Sequence, residues 1–476
     1  MVVQLLSLPF GVTLFLWFTR TSEVTFAETL LAAGLIYIPW HSYLQWVKRG
    51  EERIPVFAMV SFVYWVYYGL PLFWGDRIIS DIYSPTGREL AESSILKAEI
   101  MAILGVLCMW VGFKFNPLRI VRVPRITLPL SGFRWNYLRA LLIFGTLISL
   151  REPNFSFLGE GSRQMLSLFI VGIPTVVFAI FFGQFVRKKL LFLDKLLIMG
   201  FLIIRLIVGL SSGMLGAFGA VLIISAAVFM AEQKRIPRVA LISVVAFVLF
   251  FQPAKSEFRN VYWTENKVAP MSDRISFWVE RSLVKWGDAI SDQTGRSRTE
   301  LLNESLSRVS LLTPSANVID QTPLVVPYQY GRLYSYLLVT FIPRVVWPDK
   351  PSSSEANQFY QIAYSISDEE QLKTVSVSIG ILVEGYINFG WPGALGIMFA
   401  LGIIIRFYQT GFFGRESGAL LGAIGVVLLP GFLSIENQFA GYVGGLIQKV
   451  VFIIVVMLPV IRMRSHSLPV GLPATA

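Results

Sequence analysis

Three places in this 476-residue sequence combine a reactive side chain with a setting that could make it act. Glu384 stands in GILVEGYINFGWPG as the sole carboxylate. Buried and unpaired there, it would titrate above its ordinary range, a condition suited to a general acid or base. A salt bridge to a loop arginine is the equal alternative. Arg205 interrupts the apolar run FLIIRLIVGL. A charge at that depth costs about 2.5 to 3.5 kcal/mol on insertion, so it should face a partner, a cavity or a ligand. The third place is PLVVPYQYGRLYSYLLVTFIPRVVWPDKP, Pro323 to Pro351, where Tyr328, Tyr330, Tyr334 and Tyr336 lie close to Arg332 and Arg344. Aromatic faces stack on sugar rings and guanidinium forks grip phosphate, so the cluster suits a glycan carried on a phosphate. An ordinarily packed loop is the competing reading. Trp347, Lys350, Tyr386 and, earlier in the same region, Arg259 complete the set of substrate-binding candidates.

Several chemistries are absent from the sequence. No phosphate-binding Gly-rich loop ending in Lys-Ser/Thr occurs, no paired cysteines have metal spacing, and no aspartate pair stands where a nucleotide-sugar metal would be held. The single cysteine, Cys108, lies in an apolar run and excludes disulfides; His41 and His466, the two histidines, lie far from the tyrosine cluster. No metal and no cofactor are expected, and an activated lipid would supply the energy.

The elements that must position these residues are membrane helices. Hydrophobic residues make up 54% and charged residues 15% of the chain, with mean hydropathy +0.63; globular domains carry roughly 25% charged residues. The N-terminal run from Val2 to Phe18 has no basic residues before it and reads as a retained first span. Runs of about 17 to 25 apolar residues suffice to cross a bilayer. They predict an all-α integral membrane protein of twelve spans, near 2–18, 24–46, 54–74, 95–113, 136–150, 165–186, 191–210, 214–232, 237–252, 391–409, 417–434 and 440–461. The tenth could begin earlier, near Val375.

Lys and Arg concentrate in alternate loops, among them Lys48, Arg49, Arg53, Arg187, Lys188, Lys189, Lys234, Arg235 and Arg238. Positive loops stay cytoplasmic, which places both termini on that side. The net charge of +11 then needs no nucleic acid, because anionic headgroups favour basic residues there. The chain divides into residues 1–252 with nine spans, one large extracytoplasmic loop over 253–375, and 376–476 with three more spans and a short tail. The first half of that loop reads as amphipathic helices, with Trp278 and Trp286 either anchoring it at the outer leaflet or packing on the spans beneath. In the second half, the apolar stretch Leu333 to Trp347 is broken at Pro343 and too short to span.

FIPRVVWPDKP (Phe341 to Pro351), preceded by YGRLYSYLL and followed by VEGYINFGWPG, resembles the Wzy-type O-antigen and oligosaccharide repeat-unit polymerases. The likeness extends loosely to their architecture of many spans and one late external loop. It implies a metal-independent glycosyltransferase at the outer face of the bacterial cytoplasmic membrane, taking undecaprenyl-diphosphate-linked oligosaccharide. Membrane lipid and a chain-length regulator are the implied partners. By the resemblance Arg344 would hold the diphosphate; Arg205 as a second anionic contact and Glu384 assisting the acceptor hydroxyl are physical inferences. Asp349 and Glu257 are the other candidate bases. Family members often carry an arginine in the turn before the eighth span, where this chain reads SSGMLG. An O-antigen ligase type of transferase is the nearest alternative, and a flippase or other transporter is the alternative of a different class.

Overall fold

The computed structural model describes residues 2–50, 52–74, 92–115, 126–127, 132–150, 166, 168–264, 269–292, 310–340, 342, 346–347, 355–369, 372, 377–414 and 417–463. These are helical apart from connections and one two-residue antiparallel bridge, Ile126–Thr127 against Arg462–Met463. In chain order the helices are α1 (Val2–Thr19), α2 (Phe26–Arg49), α3 (Val56–Tyr64), α4 (Glu92–Lys114), α5 (Gly132–Leu150), α6 (Ile173–Val186), α7 (Phe192–Ser211), α8 (Leu215–Gln233), α9 (Arg238–Phe251) and α10 (Lys255–Arg259). They continue with α11 (Met271–Ser291), α12 (Leu312–Gln321), α13 (Glu355–Ala363), α14 (Ile381–Phe413), α15 (Ala419–Leu433) and α16 (Phe439–Met457).

Each of the twelve segments expected to span overlaps one of these helices, but the helices do not support twelve crossings. By length and composition, five stretches are long and apolar enough to cross a membrane: Val56–Phe73, Glu92–Lys114, Phe169–Val186, Ile381–Phe413 and Phe439–Val460. The pair α9 and α10, bent by 62°, makes a sixth if it is one broken span. Among the others, α7 carries Asp194, Lys195 and Arg205, and α15 has 15 residues, short of the ~20 that a straight crossing needs. The helix expected near 391 starts ten residues earlier, at Ile381.

The core is built around α14 and α4, whose backbones approach closely because glycine stands at the crossing. A Cβ on Gly112 would strike the Phe399 backbone, and one on Gly402 the Met109 backbone; such small-residue contacts are how helices associate where lipid removes the hydrophobic drive.

Helix α14 is broken at Phe389 and Gly390, the latter with φ +64° and ψ −148°. The cause is local. Pro392 cannot donate to the carbonyl of Asn388 and its ring clashes there. The freed carbonyls of Ile387 and Asn388 accept instead from the backbone N–H groups of Gln329 and Tyr330, at 3.0 and 2.9 Å. The helix break thus docks the tyrosine-rich segment.

Candidate functional site

Glu384 lies one turn into α14 and is fully buried. Gly380, with φ +83°, turns the chain into this helix, and its N–H bonds the carbonyl of Glu436 at 2.8 Å. The segment before α16 is therefore held beside the start of α14. One Glu384 carboxylate oxygen, Oε2, accepts the N–H of Phe439 in the first turn of α16 at 2.6 Å, where the helix dipole favours negative charge. The other oxygen, Oε1, is buried with no hydrogen-bond partner among the described residues. Buried polar atoms are ordinarily paired, so this one requires an explanation, whether bound water, a ligand or a catalytic role.

Three side chains around Glu384 hold the site in shape. Asn388, one turn on and also fully buried, donates to the Glu384 carbonyl at 2.8 Å and accepts the Gly331 N–H at 3.0 Å. Gln438, immediately before α16, accepts the backbone N–H of Asn357 on α13 at 3.1 Å. The Asn357 amide nitrogen donates to Ser378 at 3.0 Å, while its side-chain amide oxygen, Oδ1, is buried without a partner among the described residues. The residues bearing these two orphaned oxygens, Glu384 and Asn357, are thus bonded to successive residues, Glu384 by its side chain to the Phe439 N–H and Asn357 by its backbone N–H to the Gln438 side chain.

The tyrosine-rich segment closes over this arrangement. Tyr334 sets its ring edge-on to Phe439, with centroids 6.2 Å apart. Among the described residues its buried hydroxyl makes no hydrogen bond, although the Asn388 side chain lies close enough to lower its pKa somewhat. Burial, and next the nearby Glu384 carboxylate, push its pKa well above the usual tyrosine value. Tyr386 is buried between Tyr328 and Trp391, at ring separations of 6.2 and 6.4 Å, and its hydroxyl reaches the carbonyl of Thr322 at 3.5 Å. Tyr330 and Arg332 point outward, Tyr330 with 76% exposure. Tyr336 hydrogen-bonds Glu355, which, with burial, raises its pKa. Trp347 is exposed. Arg344 and Lys350, together with Asp349, lie outside the described residues.

Arg205 and Arg259 stand elsewhere. Helix α7, which carries Arg205, packs on α5, α6, α8 and α11, whereas α14 packs on α3, α4, α12 and α15. Arg205 is buried and donates to the carbonyl of Ile170 at 3.1 Å. That carbonyl lies four residues before Pro174, which has no N–H to offer it. Its guanidinium also lies 5.3 Å from the Phe201 ring, its Nε has no partner, and no carboxylate pairs with it among the described residues. Arg259 stacks on Trp263 at 4.3 Å, and Trp263 in turn donates to the Ser212 carbonyl just past α7. Glu257, on the same short helix, pairs with Arg281 and Lys285 of α11.

The structure therefore brings Tyr334 to Glu384 and adds Asn388, Gln438 and, through Gln438, Asn357; Tyr386, two residues along the same helix, faces Tyr328 and Trp391 instead, and Tyr330 and Arg332 point outward. Asn388 had a visible signal, an amide one turn after Glu384 in an otherwise apolar helix. Asn357 and Gln438 had none, being ordinary polar residues near helix starts. Among the described residues no group of three His, Cys, Asp or Glu could hold a metal ion.

The chain belongs to the family described as a domain of unknown function, DUF8712, which matches residues 134–462. That span runs from the start of α5 to the end of α16 and includes every candidate residue above. No curated protein and no solved structure matches the chain.

Proposed function

We propose that the chain is a membrane glycosyltransferase that polymerises oligosaccharide repeat units carried on undecaprenyl diphosphate. The observation that carries this reading is the Glu384 carboxylate: buried, held by one oxygen, open at the other and covered by a segment rich in tyrosine and arginine. In the proposed step a hydroxyl of the acceptor sugar attacks the anomeric carbon of the donor glycan. The bond from that carbon to the diphosphate oxygen breaks, undecaprenyl diphosphate leaves, and Glu384 takes the hydroxyl proton. Arg344 holds the leaving diphosphate, and Arg332 and the tyrosines line the sugar path; Arg205, expected as a second anionic contact, stands on α7 bonded to the Ile170 carbonyl and has no part in this site.

The finer topology belongs to the same proposal. Twelve helices cross the bacterial cytoplasmic membrane, both termini are cytoplasmic, and residues 253–375 lie on the outer face, as the distribution of basic loops favours.

The test is reconstitution of the purified protein with one lipid-linked oligosaccharide, followed by a gel that resolves repeat number. A ladder that disappears in Arg344→Ala is the expected result; normal chain length in that variant rejects its role. A second reading rests on the interrupted helix α14 and the 62° bend after α9, since broken helices are how transporters build substrate sites. Transfer of the oligosaccharide across vesicles with no new glycosidic bond would establish that reading instead.

A further inference from the structure

Helix α14 doubles back on itself at its break. A Cβ on Gly385 would meet the Gly393 carbonyl oxygen at 2.7 Å, and one on Gly393 would strike the Gly385 carbonyl in return. In an unbroken helix these two residues would stand about 12 Å apart. Gly105 of α4 gives the same result. A Cβ there would touch both Leu382 and Met398, at 2.8 and 3.3 Å, residues about 24 Å apart along a straight axis. The helix is therefore a hairpin, with a first arm before Phe389, a tip at Phe389–Gly390 and a second arm from Trp391 to Phe413.

The second arm alone, roughly 23 residues or ~34 Å long, suffices to cross a hydrocarbon core of about 30 Å. Its far end is Phe413, whose carbonyl accepts the backbone N–H of Arg53 at 2.9 Å. The tip thus stands at the opposite face of the membrane from Arg53. Trp391 opens the crossing there, at the depth where indole rings collect.

The segment wrapped over this tip is pinned at both ends. Thr322 and Val326 are buried, the N–H groups of Val325 and Val326 both donate to the Gln321 carbonyl at 2.7 and 3.1 Å, and the Tyr328 hydroxyl lies against Gly390. Between the two buried residues, Leu324 and Val325 are turned outward, 91% and 69% exposed. Tyr330 and Phe389 are exposed at the tip as well. No charged residue occurs from Gln321 to Gly331. Apolar groups held outward together mark a surface that something covers. The two most exposed are aliphatic and offer no aromatic face to a sugar, which favours hydrocarbon over glycan.

We propose that the α14 tip and residues 323–330 form an interfacial anchor: Leu324 and Val325 enter the acyl region of the leaflet farther from Arg53, while Tyr330, Phe389 and Trp391 rest among its headgroups. Glu384, five residues before the tip, is then set about 7 Å deeper than the tip itself. The anchor does not depend on glycosyl transfer, and its test reads no activity.

The test is fluorescence of the full-length protein in liposomes of phosphatidylethanolamine and phosphatidylglycerol. The native thiol is removed by Cys108→Ala, and a bimane label is placed at Leu324→Cys or, in a second variant, Val325→Cys, both at exposed positions. Leu104→Cys, midway along the spanning helix α4 and two-fifths exposed, calibrates a deep site. Lipids spin-labelled near the headgroup should quench the labels at 324 and 325 at least about twofold more than lipids labelled near the chain end, because interfacial groups sit ~5 to 10 Å into the headgroup boundary. The label at 104 should show the reverse order. Full quenching by aqueous iodide without quenching by spin-labelled lipid puts the tip in water and overturns the proposal. So does the deep order at 324 and 325. Labels shielded from both quenchers assign the surface to a second copy or another protein, and shielding that appears only with added lipid-linked oligosaccharide assigns it to the glycan; either result also overturns the anchor.

Discussion

Glu384 and Phe439 join two helices far apart in sequence: one carboxylate oxygen takes the first-turn N–H of α16 at 2.6 Å, and the other is buried without a partner among the described residues. The bonded oxygen fixes the rotamer, and the open oxygen is what chemistry would use. Glu384→Gln keeps an acceptor for Phe439 but cannot take up a proton. Its polymerising activity should fall by about 10² to 10⁴, the usual contribution of a general base, with the thermal midpoint in detergent little changed. Full activity in that variant removes Glu384 from the mechanism.

Much of this arrangement was legible in the sequence, for reasons tied to particular residues. Glu384 is conspicuous because a carboxylate in an apolar run has few explanations. Pro392 after Gly390 announces a helix break, although that break recruits the 329–330 backbone by hydrogen bonds whose partners lie about sixty residues away. Composition gave the helices at positions close to those found. Asn357 and Gln438 were invisible because their roles arise from tertiary contacts, and nothing in local periodicity reports those. Arg205 was expected to face a partner, a cavity or a ligand; it is buried against a backbone carbonyl left open by Pro174, an acceptor with no signature except the proline.

Tyr334 offers a sign test. A buried hydroxyl without a hydrogen bond destabilises the fold by about 1 to 3 kcal/mol, so removing it from a purely structural tyrosine is neutral or stabilising. Tyr334→Phe should accordingly unfold no earlier than the parent protein. If the hydroxyl meets the substrate, the same variant should lose at least tenfold in activity, a range consistent with one lost hydrogen bond in the transition state. A drop in melting temperature would mean that the hydroxyl has a structural partner and no part in the site.

Gly390 holds the break in α14 open. Its φ of +64° with ψ −148° belongs to a region that only glycine occupies at low cost, and a Cβ there would meet the Tyr328 hydroxyl at 3.0 Å. Gly390→Ala should therefore cost about 1 to 3 kcal/mol. It should also displace Tyr328 and loosen the 329–330 docking, so limited proteolysis between 322 and 336 would accelerate. Unchanged proteolysis alongside unchanged stability would show that the helix break tolerates a side chain.

The helix carrying Arg205 is itself fastened by a buried carboxylate. Asp194, fully buried near the start of α7, accepts from the Arg139 guanidinium of α5 at 2.6 and 2.9 Å and from the Trp135 indole at 2.9 Å. Trp135 in turn stacks on Phe181 of α6 at 4.4 Å, so the one carboxylate ties three helices together. Removing one member of such a pair leaves the other without compensation and typically costs about 3 to 5 kcal/mol, whereas replacing both by apolar residues is often close to neutral. Asp194→Leu should thus lower the thermal midpoint sharply, and adding Arg139→Met should restore much of the loss. A double variant as unstable as the sum of the two single ones would show that the pair acts through separate contacts, and α7 would then have to be held chiefly by packing.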